Sequence, residues 1–334
     1  MSWYPGHMKK AIEEIESKLK LVDMVIELVD ARVPVATLNP IFDRLFANKG
    51  RLLLLSKSDL ADPKATEEFV DKFNEDRTSF AVNLSNRNDI NRILKEISNI
   101  KNKMLEEKDG RVEDFTLKMI VVGMPNVGKS TLLNALKGKK SARVGNTPGL
   151  TKNQQWVKTD YGFMILDTPG ILSTSRKNQT LINNLKLVNG IENIEDDPAE
   201  LAILLIDILK DLYPGVLKDR YDVNEDADRV AILEDIGRAR GTLLRGGEID
   251  YSRAGQILLQ DFRSGKLGRI SLERVDDLDR TDEEWRIYNG RGWSWQGTAI
   301  WWGRCSCSYH AQKYFYYGNK WFQKTFREKA QDIF

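Results

Sequence analysis

Apolar positions along this chain follow two different periods. Five runs have strand length and read as strands: Met24–Asp30, Arg51–Leu55, Ser79–Asn83, Lys118–Val122 and Gly162–Leu166. Between them, apolar residues recur at helical spacing over Lys64–Asn74, Asp89–Leu105 and Ser130–Leu136. Residues 1–21 read as a loop followed by an amphipathic helix. Strands alternating with helices predict an α/β fold with a doubly wound, mostly parallel sheet. From about Leu181 onward the pattern is helical only, which predicts a small all-helical C-terminal domain.

The chemistry sits where the strand patterns end. The run LKMIVVG leads, through its final glycine, into GMPNVGKST, in which Gly123, Gly128, Lys129 and Ser130 meet the phosphate-loop pattern between a strand and a helix. Backbone N–H groups of such a loop turn toward phosphate oxygens, and the helix N-terminus adds a positive field. The nucleotide-binding stretch is Asn126, Val127, Gly128, Lys129, Ser130 and Thr131, with Lys129 on the outer phosphates and Ser130 on Mg²⁺. GFMILD leads into DTPG, where Asp167 would bind Mg²⁺ through water and the Gly170 N–H would sense the γ-phosphate. Of the two threonines in the intervening RVGNTPGLTK, Thr151 rather than Thr147 completes the Mg²⁺ shell.

SKSD, Ser56–Asp59, follows the apolar run RLLLL. Asp59 can accept hydrogen bonds from guanine N1–H and the exocyclic amine, a donor pair adenine lacks, and the Lys57 stem would pack along the base. The usual first residue of this motif is Asn, and Ser56 lacks the amide, which predicts reduced nucleotide affinity. A second base loop is expected at Asn83–Asn86. Taken alone, four such residues fit a solvated turn better than a base site; their partners elsewhere in the chain make the case. The base motif precedes the phosphate loop, so the parts of a GTP site occur in rotated order.

This arrangement resembles the circularly permuted GTPases, and over residues 1 to about 274 the ribosome biogenesis GTPase A (YlqF-like) family. WYPGHMKK at Trp3–Lys10, DARVP at Asp30–Pro34 with Asn39–Pro40 after it, and Arg240–Glu273 carry the resemblance. It implies a GTPase that binds GTP/GDP and Mg²⁺, docks on the large ribosomal subunit precursor through rRNA and ribosomal proteins, and acts late in its maturation. It also implies a catalytic role for His7, against the plainer reading of a surface histidine, and K⁺ binding near Asn126. Ile171 stands where many GTPases place a water-orienting Gln, which predicts slow intrinsic hydrolysis, stimulated by ribosomal particles. A non-hydrolysing RNA-binding assembly factor that uses GTP as a structural ligand is the second reading, and an ATPase a more distant one.

Composition adds limits. No apolar stretch is long enough to span a bilayer, no signal-peptide pattern opens the chain, and residues 1–304 contain no Cys, so a cytoplasmic protein without membrane or DNA partners is expected. The net charge of +2 conceals local contrast. Residues 137–152 and 238–274 are basic, and 191–228 acidic. For residues 137–152, RNA contact competes with a solvated helix end, which charge alone slightly favours. Arg263, Lys266 and Arg269 fall on the polar side of a helix whose Ile257, Leu258 and Phe262 pack inward, and there the family resemblance favours RNA contact. The expected organisation is a permuted GTPase domain over 1–178, a helical RNA-binding domain over 179–274, and an anomalous tail over 275–334. Six of eight Trp and both Cys lie in that tail. It fits a base-stacking surface, an irregular Cys305/Cys307/His310 metal site or, the preferred reading, a segment that is not a native domain.

Overall fold

The computed structural model describes residues 13, 15–107, 115–137, 156–166, 178–191 and 197–278, all within one compact unit that ends at residue 285. His7, Thr151, Asp167, Gly170, Ile171 and the tail from residue 279 lie outside the described residues.

The first part of the chain runs β1 (Met24–Asp30), α1 (Pro34–Thr37), α2 (Ile41–Leu45), β2 (Gly50–Ser56), α3 (Pro63–Asn74), β3 (Thr78–Val82) and α4 (Arg87–Glu107). It continues through β4 (Leu117–Gly123), α5 (Lys129–Lys137), β5 (Trp156–Lys158) and β6 (Phe163–Leu166). The sheet order is β3-β2-β1-β4-β6-β5, parallel except for β5, which pairs antiparallel with β6. The doubly wound sheet expected from the pattern is thus present. β5 was not foreseen, because three residues carry no period; α1 and α2 are too short to show one.

β1 is buried at every position, as a central parallel strand with both faces covered must be. Its one charged interior residue, Glu27, receives a hydrogen bond from Arg51 at 3.0 Å. Burial still outweighs Arg51 and raises the Glu27 pKa to about 7. Phe42, Phe46, Ile120, Val122, Trp156 and Leu166 form part of a continuous core cluster. Each such side chain contributes roughly 1.5–3 kcal/mol on burial.

The later helices are α6 (Gln179–Leu187), α7 (Pro198–Leu212), α8 (Val216–Tyr221), α9 (Arg229–Arg240) and α10 (Tyr251–Arg263). Asn178, Asp197, Asp228 and Asp250 accept N-terminal amide hydrogen bonds as caps of α6, α7, α9 and α10. α10 lies tight against the start of α7, since a Cβ on Gly255 would come within 2.4 Å of the Pro198 carbonyl oxygen. The helices contact the sheet domain directly: the Arg32 guanidinium lies 5.6 Å from the Phe262 ring centre.

The basic residues expected to face RNA from this region are largely engaged internally. Arg263 donates to the Leu187 and Lys186 carbonyls at 2.8 and 2.9 Å, satisfying the C-terminal end of α6. Arg269 binds the Ser58 and Ala61 carbonyls, and Lys266 lies 3.3 Å from Asp261. Helical spacing identified Leu258 and Phe262 as buried, but Ile257 is only half-buried and lines a cavity, because the helix turns it away from its packed neighbours. Nor did spacing reveal the acceptors that neighbouring elements would offer the basic side chains.

Candidate functional site

Because β1, β2, β3, β4 and β6 are parallel, their C-terminal ends share one edge of the sheet. The winding reverses between β1 and β4, the crevice where open α/β sheets bind ligands. The phosphate loop leaves β4 there; Ser56 ends β2 with Lys57–Asp59 after it, and Asn83–Asn86 follow β3, at the same edge.

The phosphate loop is made by the local sequence. Gly123 has φ +149°, and a Cβ there would lie 2.5 Å from the Leu28 carbonyl oxygen, so only glycine permits the turn beside β1. Val127 is buried, which anchors the loop, and Asn126 takes a left-handed φ of +60°. Lys129 begins α5, and its ammonium donates to the Met124 carbonyl at 2.5 Å. Burial lowers its pKa to about 8. A partly desolvated cation beside helix-terminal N–H groups is matched to an anion, and phosphate oxygens would restore its charged state. Ser130 and Thr131 are exposed in the first turn, with hydroxyls that take no partner among the described residues. This donor set fits a nucleotide phosphate with Mg²⁺ on Ser130.

The base motif reaches this loop through one contact. Ser56 is fully buried, and its hydroxyl lies 2.6 Å from the Val127 carbonyl and 2.9 Å from the Val29 carbonyl. A hydroxyl has one proton, so the two carbonyls share it. The contact holds the end of β2 against the phosphate loop. Lys57 has φ +57° and pairs with Asp30 at 2.9 Å. Asp30 also takes a hydrogen bond from the Arg32 guanidinium at 2.8 Å. Burial pushes the Asp30 carboxyl up, but Arg32 and then Lys57 outweigh it and hold the pKa at about 2. Asp30 therefore stays ionised and fixes the Lys57 head. The Leu60 N–H closes a turn onto the Lys57 carbonyl at 2.9 Å, and Asp59 stands exposed within it, its carboxylate unpaired among the described residues.

The second loop is adjacent. The Ser58 N–H donates to the Val82 carbonyl at 3.2 Å, and Asn83 Oδ1 accepts from the Ser85 N–H at 2.9 Å. The structure thus brings Ser56, Lys57, Asp59 and Asn83 to the same edge as Asn126–Thr131. Three residues that matter to the site's geometry escaped sequence reasoning. Asp30 had a legible signal, a carboxylate ending a buried strand. Asn189, whose carbonyl accepts from Asn126 Nδ2 at 2.8 Å, and Arg269 had none.

A strand-loop-helix anion site beside a guanine-type motif, joined in rotated order on a doubly wound sheet, defines a circularly permuted P-loop GTPase. A family model described as "50S ribosome-binding GTPase" matches residues 118–236, beginning in the strand before the phosphate loop. Ribosome biogenesis GTPase A of Bacillus licheniformis is 38% identical over 283 residues, covering 83% of this chain and 99% of the relative. The Thermotoga maritima protein of the same name is 34% identical, covering 85% and 98%. The structure titled GDP-bound TM YlqF aligns with TM-score 0.58 at 30% identity, over 79% of this chain and 99% of that one. GNP-bound YlqF from T. maritima aligns with TM-score 0.56. The chain belongs to the ribosome biogenesis GTPase A family: it binds guanine nucleotide and hydrolyses GTP, in ribosome biogenesis.

Proposed function

We propose that this GTPase docks on the large ribosomal subunit precursor in its GTP state, assists late maturation in the cytoplasm, and leaves after hydrolysis. The observation that carries the nucleotide chemistry is the 2.6 Å contact between Ser56 Oγ and the Val127 carbonyl, which joins base motif and phosphate loop into one crevice. Asp59 reads the guanine edge, Lys57 lies along the base, and Asn83 borders it. The N–H groups of Asn126–Thr131 hold the phosphates, with Lys129 on the outer ones. Ser130 and, by sequence, Thr151 and Asp167 hold Mg²⁺, which neutralises phosphate charge; Gly170 senses the γ-phosphate. Asn126 contributes to a K⁺ site, and His7 orients the attacking water in place of the missing Gln, with a partner ordering it. No helix among the described residues is long and apolar enough to cross a membrane.

A cavity of about 980 Å³ in the helical region supports docking on RNA. It is lined by Lys186, Arg220, Arg240, Arg253, Arg263 and Lys266 against the single carboxylate of Asp261. Arg220 and Lys266 pair with Asp261 and Arg263 serves backbone carbonyls, but one carboxylate leaves the lining with a net positive charge, which suits a phosphate backbone. Asn189, which also lines the cavity, accepts the hydrogen bond from Asn126, so the cavity adjoins the phosphate loop.

Co-sedimentation with large-subunit precursors under GTP, a non-hydrolysable analogue and GDP, together with phosphate release, tests this reading. Binding should favour the GTP-like state, and particles should accelerate release. Nucleotide-independent binding with no acceleration would instead favour the structural-ligand reading.

A further inference from the structure

The helical region reaches the nucleotide crevice through a strap. After α10 the chain turns at Gly265 and continues as residues 269–273, and its partners lie more than two hundred residues earlier in sequence. Arg269 donates from Nη2 to the Ser58 carbonyl at 2.7 Å and from Nε to the Ala61 carbonyl at 2.9 Å. The Ile270 N–H donates to the Leu60 carbonyl at 2.9 Å, and the Asp62 N–H to Ser271 Oγ at 3.1 Å. The Tyr213 hydroxyl, which accepts from the Ser271 N–H, lies 3.0 Å from Asp62 Oδ2. Within residues 58–62, only Asp59 makes no such bond.

The pattern is more specific than adhesion between two parts of a protein. Adhesion is already supplied next door. The Leu272 N–H donates to the Arg32 carbonyl at 2.8 Å, and the buried Glu273 carboxylate accepts from the Val35 and Ala36 N–H groups at 2.7 and 3.1 Å. Arg269 adds a fork that grips the carbonyls on both sides of Asp59. The gripped segment is an irregular turn with Lys57 in a left-handed conformation, so neither strand nor helix fixes its shape. A carboxylate that must meet two donors on a base edge tolerates misplacement of only about 0.5 Å.

We propose that Arg269, assisted by Ser271, is a positioning residue for guanine recognition, and that through it the seating of the helical region sets affinity for guanine nucleotides. The inference rests on Asp59 reading the base. Linkage makes it reciprocal: a partner that lifts the strap weakens guanine binding, and bound guanine nucleotide holds the strap down.

The test is equilibrium binding of GDP and ADP to the full chain carrying Arg269→Ala, Ser271→Ala, Asp59→Ala or the distant control Arg238→Ala, with thermal melts of each free protein. Arg269→Ala should weaken GDP binding about tenfold and leave ADP binding unchanged, so that selectivity falls by the same factor. Arg238→Ala should match wild type. A wild-type GDP/ADP ratio in Arg269→Ala, beside a collapsed ratio in Asp59→Ala, overturns the role of the strap alone. An intact ratio in Asp59→Ala overturns the reading of Asp59 and the inference with it. Should Arg269→Ala fail to fold, Ser271→Ala decides the matter: a severalfold loss confined to GDP sustains the proposal, and a wild-type ratio overturns it.

Discussion

At the phosphate end of the crevice, nine consecutive residues from Gly123 to Thr131 supply the turn, the amide donors, the cation and the start of the helix. At the base end, Asp59 is one exposed residue in a turn, held by Ser56 on Val127, Ser58 on Val82, and residues 269–271 from the far end of the fold. The first site is largely a property of local chain geometry, whereas the second is assembled from four separate segments. A perturbation remote in sequence should therefore leave phosphate binding alone and change selectivity for the base.

The largest effect is expected from Lys129→Ala. Removing a partly buried cation from the phosphates should weaken GTP binding at least about a hundredfold, as read by titration calorimetry. Loss for GTP and ATP alike would mark the phosphate end as local and base-blind. The same lysine gives a pH signature. With a free-state pKa of about 8 and a higher one beside phosphates, wild-type affinity should fall as pH rises above about 8. Calorimetry in buffers of different ionisation enthalpy should show proton uptake near that pH; its absence would assign Lys129 no charge change on binding.

Asp59→Ala should reduce GDP over ADP selectivity by about a hundredfold while sparing the phosphate contacts, since two unmet base donors are left behind. Competition between the two nucleotides measures it. A parallel fall for both would erase the distinction between the two ends.

A smaller effect concerns the anchor behind the base end. Burial raises the Glu273 pKa to about 7, against the hydrogen bonds from Asn184 and Ala36, with Asp277 raising it further. The folded pKa exceeds the ordinary glutamate value of 4.5, so the stabilisation is fully present below about pH 4.5 and is lost as pH rises through 7. Glu273→Gln should flatten part of that decline, by up to about 3 kcal/mol, in melting temperatures measured from pH 4.5 to 8. Glu27, raised to about 7 as well, accounts for slope that remains. An unchanged profile would show that the anchor does not titrate.

Ser56→Ala should have the smallest effect, about 1 kcal/mol of stability, because it strips the shared proton from two carbonyls. A selectivity loss larger than that from Arg269→Ala would move the control of Asp59 from the strap to β2.

Much of this was legible in the residues themselves. Strand-length apolar runs located β1 to β4 and β6 within a residue or two, because a buried parallel strand must be apolar at nearly every position. The phosphate loop was legible because its function lies in consecutive backbone amides and a glycine that no other residue replaces. Trp156–Lys158 was not, being too short for a period and held by its partner strand. Nor were the roles of Arg263 and Arg269 on backbone carbonyls. A basic side chain on a polar helix face looks the same in sequence whether it meets solvent, RNA or a carbonyl two hundred residues away.

The sequence by itself therefore determined the order of the elements, the rotated arrangement of the motifs and the chemistry of the phosphate end, all of which depend on short-range spacing. Only the tertiary structure decided how the turn around Asp59 is held, which partners Asp30 and Arg269 meet, and which carbonyls the basic side chains serve. Those outcomes depend on distances between segments far apart in the chain, and a single sequence does not record such distances.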